Sequence, residues 1–331
     1  METLTSSKIQ KLFKMSSLQT LFNAEERNEI PQAERVARGS TFVRHWSIDQ
    51  LPEIGKRFGF LKAPETQVVV CVYTQKGGVL KTTISYSMAR ILALCGIKVL
   101  IIGVDIQGSI TQTAIPIPQA DNLEELKQIR KTWGGLYHLL YDDAELFDVV
   151  KKTDLPTLDV IPENAGLRIL DRRLSTESNR ERYFKNKLLP QLQDYQVIIF
   201  DNGPNWNQLV ENTLVCSNFI ISPVGCDVGT FDVLETNLDQ IWEFQKVIKD
   251  IQWNDFIMVP TLLEKTKLSS QIYGTYTNTY NKYILPMAIR RAVVGQESSF
   301  VKKTAIEHDP KSALAQDYYD VMTAIWARIV R

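Results

Sequence analysis

A doubly wound α/β domain with a mostly parallel sheet, preceded by a small helical region, is the fold class this sequence predicts. Two observations predict it and a third points to its use. Six β-branched runs (68–74, 98–105, 157–163, 196–203, 218–224 and 255–263) are apolar almost throughout, as strands covered on both faces are. Helix-like segments alternate with them at 82–95, 134–150, 164–175, 181–194, 206–216, 229–249, 268–281 and 311–330, which implies right-handed crossovers between parallel strands. Ligands of such sheets sit at the carboxyl ends of the strands, where three runs lead into Lys76–Thr83, Asp105 and Asp201.

A composition break at "GFLKAPETQ" (59–67) divides the 331 residues into an N-terminal region, 1–64, and a main domain, 65–331. Lys plus Arg and Asp plus Glu both number 38, so whole-chain charge favours no class of partner and local clusters must carry that argument. Cys71, Cys95, Cys216 and Cys226 lie mostly in apolar runs without paired spacing, and the three histidines are scattered, so buried free thiols are expected and zinc is not. The N-terminus is polar, and no apolar run approaches the roughly 20 residues of a membrane span. The expectation is a cytoplasmic protein with no membrane association.

Within 1–64, apolar residues at Ile9, Leu12, Phe13, Leu18, Leu21 and Phe22 fit two short helices broken around Lys14–Met15, with Ser16 or Ser17 capping the second. "ERVARGSTFVRHW" reads as a basic two-stranded wing turning at Gly39, and 47–59 as a capped helix. Ten Lys/Arg against seven Asp/Glu give the region a modest +3. A helix-turn-helix places its second helix in a major groove, which makes Ser17 and Gln19 candidate base contacts and Arg38 and Arg44 candidate backbone clamps. The arrangement resembles a MerR-like winged helix, although a helical dimerisation arm would show the same apolar spacing.

"QKGGVLKTT" (Gln75–Thr83) joins a strand to a helix. A glycine-rich turn there aims backbone N–H groups at a phosphate, and the helix dipole adds to the attraction. Gly77 and Gly78 allow close approach, Lys81 supplies charge over the outer phosphates, and the Thr82 hydroxyl can ligate Mg²⁺. Gln75, Val79, Leu80 and Thr83 complete the cradle. Leu80 stands where a glycine is expected and is read as pointing outward, and Lys76 is a second, leading lysine.

"KGGVLKTT" resembles the deviant Walker A motif, K-G-G-x-x-K-[TS], of the ParA/MinD class of P-loop ATPases. The resemblance spans about 66–331 and is strongest to the larger partition proteins of the F- and P1-plasmid kind (SopA-like), which bear an N-terminal DNA-binding extension. It implies that Lys76 reaches across a nucleotide-sandwich homodimer to the partner's phosphates. "VLIIGVDIQGS" (99–109) resembles the class's D-x-D-P-Q-G run: Asp105, Gln107 and Gly108 match, while Gly103 and Ile106 replace the first Asp and the Pro. By that resemblance Asp105 orients the attacking water and Gln107 contacts nucleotide. Asp201 in "VIIFDNGPN" (197–205) resembles the Walker B aspartate, completing a metal set of Thr82, Asp105 and Asp201. The implied activity is Mg²⁺-dependent hydrolysis of ATP to ADP, stimulated by DNA and a ParB-type centromere-binding partner, on the nucleoid. Arg290, Arg291, Lys302 and Lys303, in a segment (288–307) read as a basic loop, are the corresponding candidates for nonspecific DNA binding.

Other classes remain open at this point. A membrane-cycling division-site regulator would use the C-terminal apolar residues Met322, Ile325, Trp326, Ile329 and Val330 as a tail, although docking of that helix on the core explains them better. An iron–sulfur reductase or amide ligase, or a transcription factor with a dead ATPase, would share the fold.

Overall fold

In the computed structural model, residues 2–106, 108–116, 122–248 and 251–331 are described. The expectation at Gln107 lies outside them. The chain opens with a small antiparallel sheet, β1 (Thr3–Thr5), β2 (Glu34–Arg38) and β3 (Thr41–Ser47), in the order β1-β3-β2. Two helices, α1 (Ser6–Leu12) and α2 (Leu18–Glu26), lie between β1 and β2, and α3 (Leu51–Phe58) follows β3. Of the two serines, Ser17 caps α2, its hydroxyl accepting from the Gln19 amide at 3.0 Å. The hairpin turns at Gly39, whose φ of +64° suits a residue without Cβ.

The main sheet has seven strands: β4 (Val68–Val72), β5 (Val99–Gly103), β6 (Lys151–Lys152), β7 (Leu158–Ile161), β8 (Val197–Asp201), β9 (Phe219–Gly225) and β10 (Asp255–Thr261). Their order is β10-β9-β4-β8-β5-β7-β6, and every pairing is parallel except that of the short edge strand β6. Alternation along β4 divides the core: Val68, Val70 and Val72 enter the cluster on one face, Val69 and Cys71 the clusters on the other. All four cysteines are buried and free.

Helices α4 (Lys81–Leu94), α5 (Ser109–Ala114), α6 (Leu123–Lys131), α7 (Leu136–Tyr141), α8 (Leu146–Val149) and α9 (Gly166–Leu174) precede β8 in the chain. After it come α10 (Gln208–Cys216), α11 (Val228–Val247), α12 (Lys267–Thr279), α13 (Val293–Phe300), α14 (Ala305–His308) and α15 (Ala313–Ile329). The helix expected over 134–150 is broken where Asp143 takes φ +53°. The segment 181–194 forms short 3-10 and π turns, the last carrying Pro190, which lacks the N–H a continuing helix needs. The stretch 288–307 is not a loop throughout, because α13 and α14 occupy much of it.

The first 64 residues do not stand apart. Ile9, Leu12, Phe13, Leu21, Trp46, Leu51 and Ile54 join one buried cluster with α4, α15 and a face of the main sheet. The Tyr319 hydroxyl donates to the Leu12 carbonyl, and the Trp326 indole to the Lys62 carbonyl, both at 2.7 Å. Closest of all, a Cβ on Gly55 would lie 1.7 Å from the Leu94 carbonyl oxygen, so α3 meets the end of α4 backbone against backbone. Below that contact, buried Arg90 of α4 binds Glu307 and Asp154 through paired hydrogen bonds of 2.6–2.8 Å.

Candidate active site

The candidate residues gather where β4, β5 and β8 end. Between β4 and α4 the loop is open over Gly77 and Gly78, where an added Cβ would meet nothing within 4 Å, and Gly78 has φ +77°. Val79 is buried, its carbonyl accepting from the Thr261 hydroxyl at 3.2 Å. Leu80 does not point outward: it packs partly buried against the core and serves as the N-cap of α4 with φ +69°. A left-handed leucine is strained by about 1 kcal/mol, which its apolar contact offsets. No side chain caps α4, so its first-turn N–H groups remain available to an anion.

Lys81 folds back over the loop and donates to the Lys76 carbonyl at 2.6 Å. Burial lowers its pKa to about 8, against the pull of Asp201 and Asp105. Asp201, at the last position of β8, is fully buried; it accepts from Thr82 Oγ1 at 2.8 Å and from Ser85 Oγ at 2.7 Å. Burial raises its pKa to about 6, outweighing these two hydrogen bonds. Asp105 follows β5 and stands beside Gly203, where an added Cβ would come within 2.9 Å of its Oδ1. A cavity of about 270 Å³ opens between them, lined also by Arg168, Asn205 and Asn207. Lys76 leans away from the loop toward the start of α11, where a Cβ on Gly229 would lie 3.3 Å from its Nζ.

The structure thus brings Lys76, Gly77, Gly78, Lys81, Thr82, Asp105 and Asp201 to one end of the sheet. Half-buried Gln75 and Thr83 flank them. These residues fit a polyphosphate chelating a hard divalent cation: the cradle is open, the lysine is buried, and hydroxyl and carboxylate oxygens supply the donors. Sequence reasoning missed Ser85 and Glu163. Ser85 lies one helical turn beyond Thr82, a spacing that could have revealed it.

The expected DNA contacts are dispersed. Ser17 and Gln19 sit at the start of α2, with the Gln19 amide donating to Asn23 at 2.8 Å. Arg38 is exposed at the hairpin tip, whereas Arg44 bonds the buried carboxylate of Glu25 at 2.7 Å. Arg290 is bidentate on Asp317 (2.6 and 2.7 Å), Arg291 binds Glu264 at 2.9 Å, and Lys303 binds Glu2. Lys302 is half-buried and donates to the Ile115 carbonyl at 3.4 Å.

A family model described as AAA domain matches residues 67–254. The chain is 29% identical over 259 residues to the sporulation initiation inhibitor protein Soj of Bacillus subtilis, covering 78% of this chain and 98% of that protein. It is 28% identical to the cell division protein PomZ of Myxococcus xanthus, covering 77% and 76%. Cobyrinic acid a,c-diamide synthase of Mycobacterium smegmatis, solved with a bound ATP analogue and magnesium, shares the fold with a TM-score of 0.62 at 24% identity, over 78% of this chain and 94% of that one.

Proposed function

The chain belongs to the AAA domain family of ParA/Soj-type P-loop ATPases, and from that premise we propose a Mg²⁺-dependent partition ATPase that binds ATP and ADP. The observation that carries this reading is the arrangement of buried Lys81 and Asp201 with half-buried Thr82 beneath an open glycine loop. Thr82 and Asp201 would hold Mg²⁺, which when bound neutralises charge on the outer phosphates. Lys81 already spans the loop and needs only to exchange the Lys76 carbonyl for a phosphate oxygen. Asp105, beside the cavity, accepts a hydrogen bond from water and aligns it for attack. Lys76 is left to serve the second subunit of a sandwich dimer. Exposed Val228 and Phe231 on α11 and Leu268 on α12 support such a face beside it.

In this reading the ATP-bound dimer coats nonspecific DNA through Arg290, Arg291, Lys302 and Lys303, and a ParB-type partner triggers hydrolysis and release. The N-terminal region acts as a winged helix on an operator, with autorepression, through Ser17, Gln19, Arg38 and Arg44. The division 1–64 and 65–331 is then one of roles. Because the two parts share a core, hairpin substitutions test it better than truncation. Against the membrane-cycling alternative, Met322, Ile325, Trp326 and Ile329 are all buried, leaving Val330 exposed of the five apolar residues of that tail. The deciding experiment measures ATP turnover with and without DNA and a ParB-type partner, alongside liposome co-sedimentation. Stimulated turnover without liposome binding supports the proposal, and turnover absent under every condition defeats it.

A further inference from the structure

Strand β5 ends in Gly103, and β7 leads to Glu163. A Cβ added to Gly103 would lie 2.2 Å from Glu163 Cδ and 2.6 Å from Oε1, so the two positions compete for one space. The Glu163 carboxylate fills it while almost entirely buried. It accepts from the Ile110 amide at 3.0 Å, from the Thr111 amide at 2.8 Å and from the Thr111 hydroxyl. That hydroxyl accepts in turn from the Glu163 amide at 2.9 Å. The donors open α5, the helix that begins immediately after the turn carrying Asp105 and Gly108 (φ +74°).

Among the described residues no cation pairs with Glu163, and the charge acting on it from β8 is that of Asp201, which repels. Burial and this repulsion raise its pKa to about 7, so the carboxylate is held there at some expense in stability. An uncharged residue would cap a six-residue helix more cheaply. By the resemblance, position 103 is also where the D-x-D-P-Q-G run has its first aspartate. A carboxylate absent from β5 is therefore present in the same space, delivered from the neighbouring strand.

We propose that Glu163 is a positioning residue for hydrolysis, replacing the side chain absent at Gly103 and fixing the start of α5, whose preceding Gly108 amide donates to the Asp105 carbonyl at 3.0 Å, so that Asp105 faces the attacking water. Asp105 is tethered at one end by β5 and at the other by α5, and Glu163 locks the second tether to β7. The inference rests on the ATPase reading. It predicts a defect in turnover with nucleotide affinity retained, because the phosphate loop lies on β4 and does not touch Glu163.

The test uses the full chain carrying Glu163→Ala, Glu163→Gln, Gly103→Asp and the double change Gly103→Asp/Glu163→Ala. Stimulated ATP turnover, ADP affinity by calorimetry and thermal unfolding are measured for each. Glu163→Ala should lower kcat about tenfold or more while changing KM and ADP affinity less than about threefold. Glu163→Gln, which keeps the shape and one acceptor, should fall in between. Gly103→Asp alone should be as poor as Glu163→Ala, because two carboxylates collide. The double variant should recover most of the turnover, and this is the outcome a purely structural role would not give. Wild-type kcat in Glu163→Ala, or no recovery in a folded double variant, overturns the proposal. A wild-type chain that binds nucleotide but never hydrolyses it overturns the ATPase reading, and the inference with it.

Discussion

The phosphate loop and the segment 290–303 are both rich in cations, yet they treat charge in opposite ways. At the loop, buried Lys81 and the buried Asp201 at the end of β8 make no ion pair; their partners are a backbone carbonyl and two hydroxyls. In the segment, Arg290, Arg291 and Lys303 each meet a carboxylate, and Lys302 meets a carbonyl. Buried charge left short of a counter-charge is costly in an apochain, and a ligand that supplies both signs at once removes the cost. Paired charge at a surface makes no such demand. The contrast separates a site built for a ligand from cations that must first give up an internal partner to bind DNA.

The largest effect should come from the loop. Lys81→Ala should weaken nucleotide binding by about 100-fold or more, since it removes the charge over the outer phosphates, while Lys76→Ala should change single-chain affinity less than about threefold and abolish the dimer. Calorimetry and sedimentation check this, and equal losses of affinity would erase the distinction between the two lysines. Next, Arg90→Met should cost about 3–5 kcal/mol in urea unfolding because it strands the buried Glu307 carboxylate. Arg291→Ala, breaking an exposed pair, should cost less than about 0.5 kcal/mol.

Asp201→Asn should raise the stability of the nucleotide-free chain by about 1 kcal/mol at neutral pH while abolishing turnover. The pH dependence follows from the direction of the shift. Asp201 is raised from 3.8 to about 6, so between those values the folded chain holds the proton more tightly than the unfolded one, and stability declines as pH rises. Lys81 is lowered from 10.5 to about 8, so the folded chain sheds its proton first and stability is regained above about pH 8. A urea series across pH should lose the acid-side slope in Asp201→Asn and the alkaline rise in Lys81→Met. The smallest contrast lies in the hairpin. Arg38→Ala should leave stability within about 0.5 kcal/mol and weaken operator binding in a gel shift, whereas Arg44→Ala should destabilise by about 1–3 kcal/mol through the Glu25 it leaves behind.

Much of the active end was legible because its signals are local. Gly77, Gly78, Lys81 and Thr82 lie in one short stretch, Asp201 closes β8, and Asp105 comes two residues after β5, both behind unmistakable apolar runs. Glu163 was invisible because its meaning depends on β5 and β7 being neighbours, which places it against Gly103. Arg90 was hidden for the same reason, its carboxylates coming from a distant loop and from α14. Leu80 misled because a leucine in a glycine position suggests exposure, while the fold turns its side chain inward. The basic residues Arg290, Arg291, Lys302 and Lys303 were picked out by charge and by the resemblance, and neither reveals whether a carboxylate already answers the charge.

The contact of Gly55 with the Leu94 carbonyl has a consequence for how the molecule opens. Helix α4 carries the phosphate loop at its first turn and abuts α3 at its last, with Arg90 clamped between. Neither helix can lift away without exposing the other's backbone, so their amides should exchange with solvent deuterium together, as one cooperative block. Nucleotide, by holding the first turn of α4, would then slow exchange in α3 as well, across the whole length of a helix and into a region that never touches the phosphates.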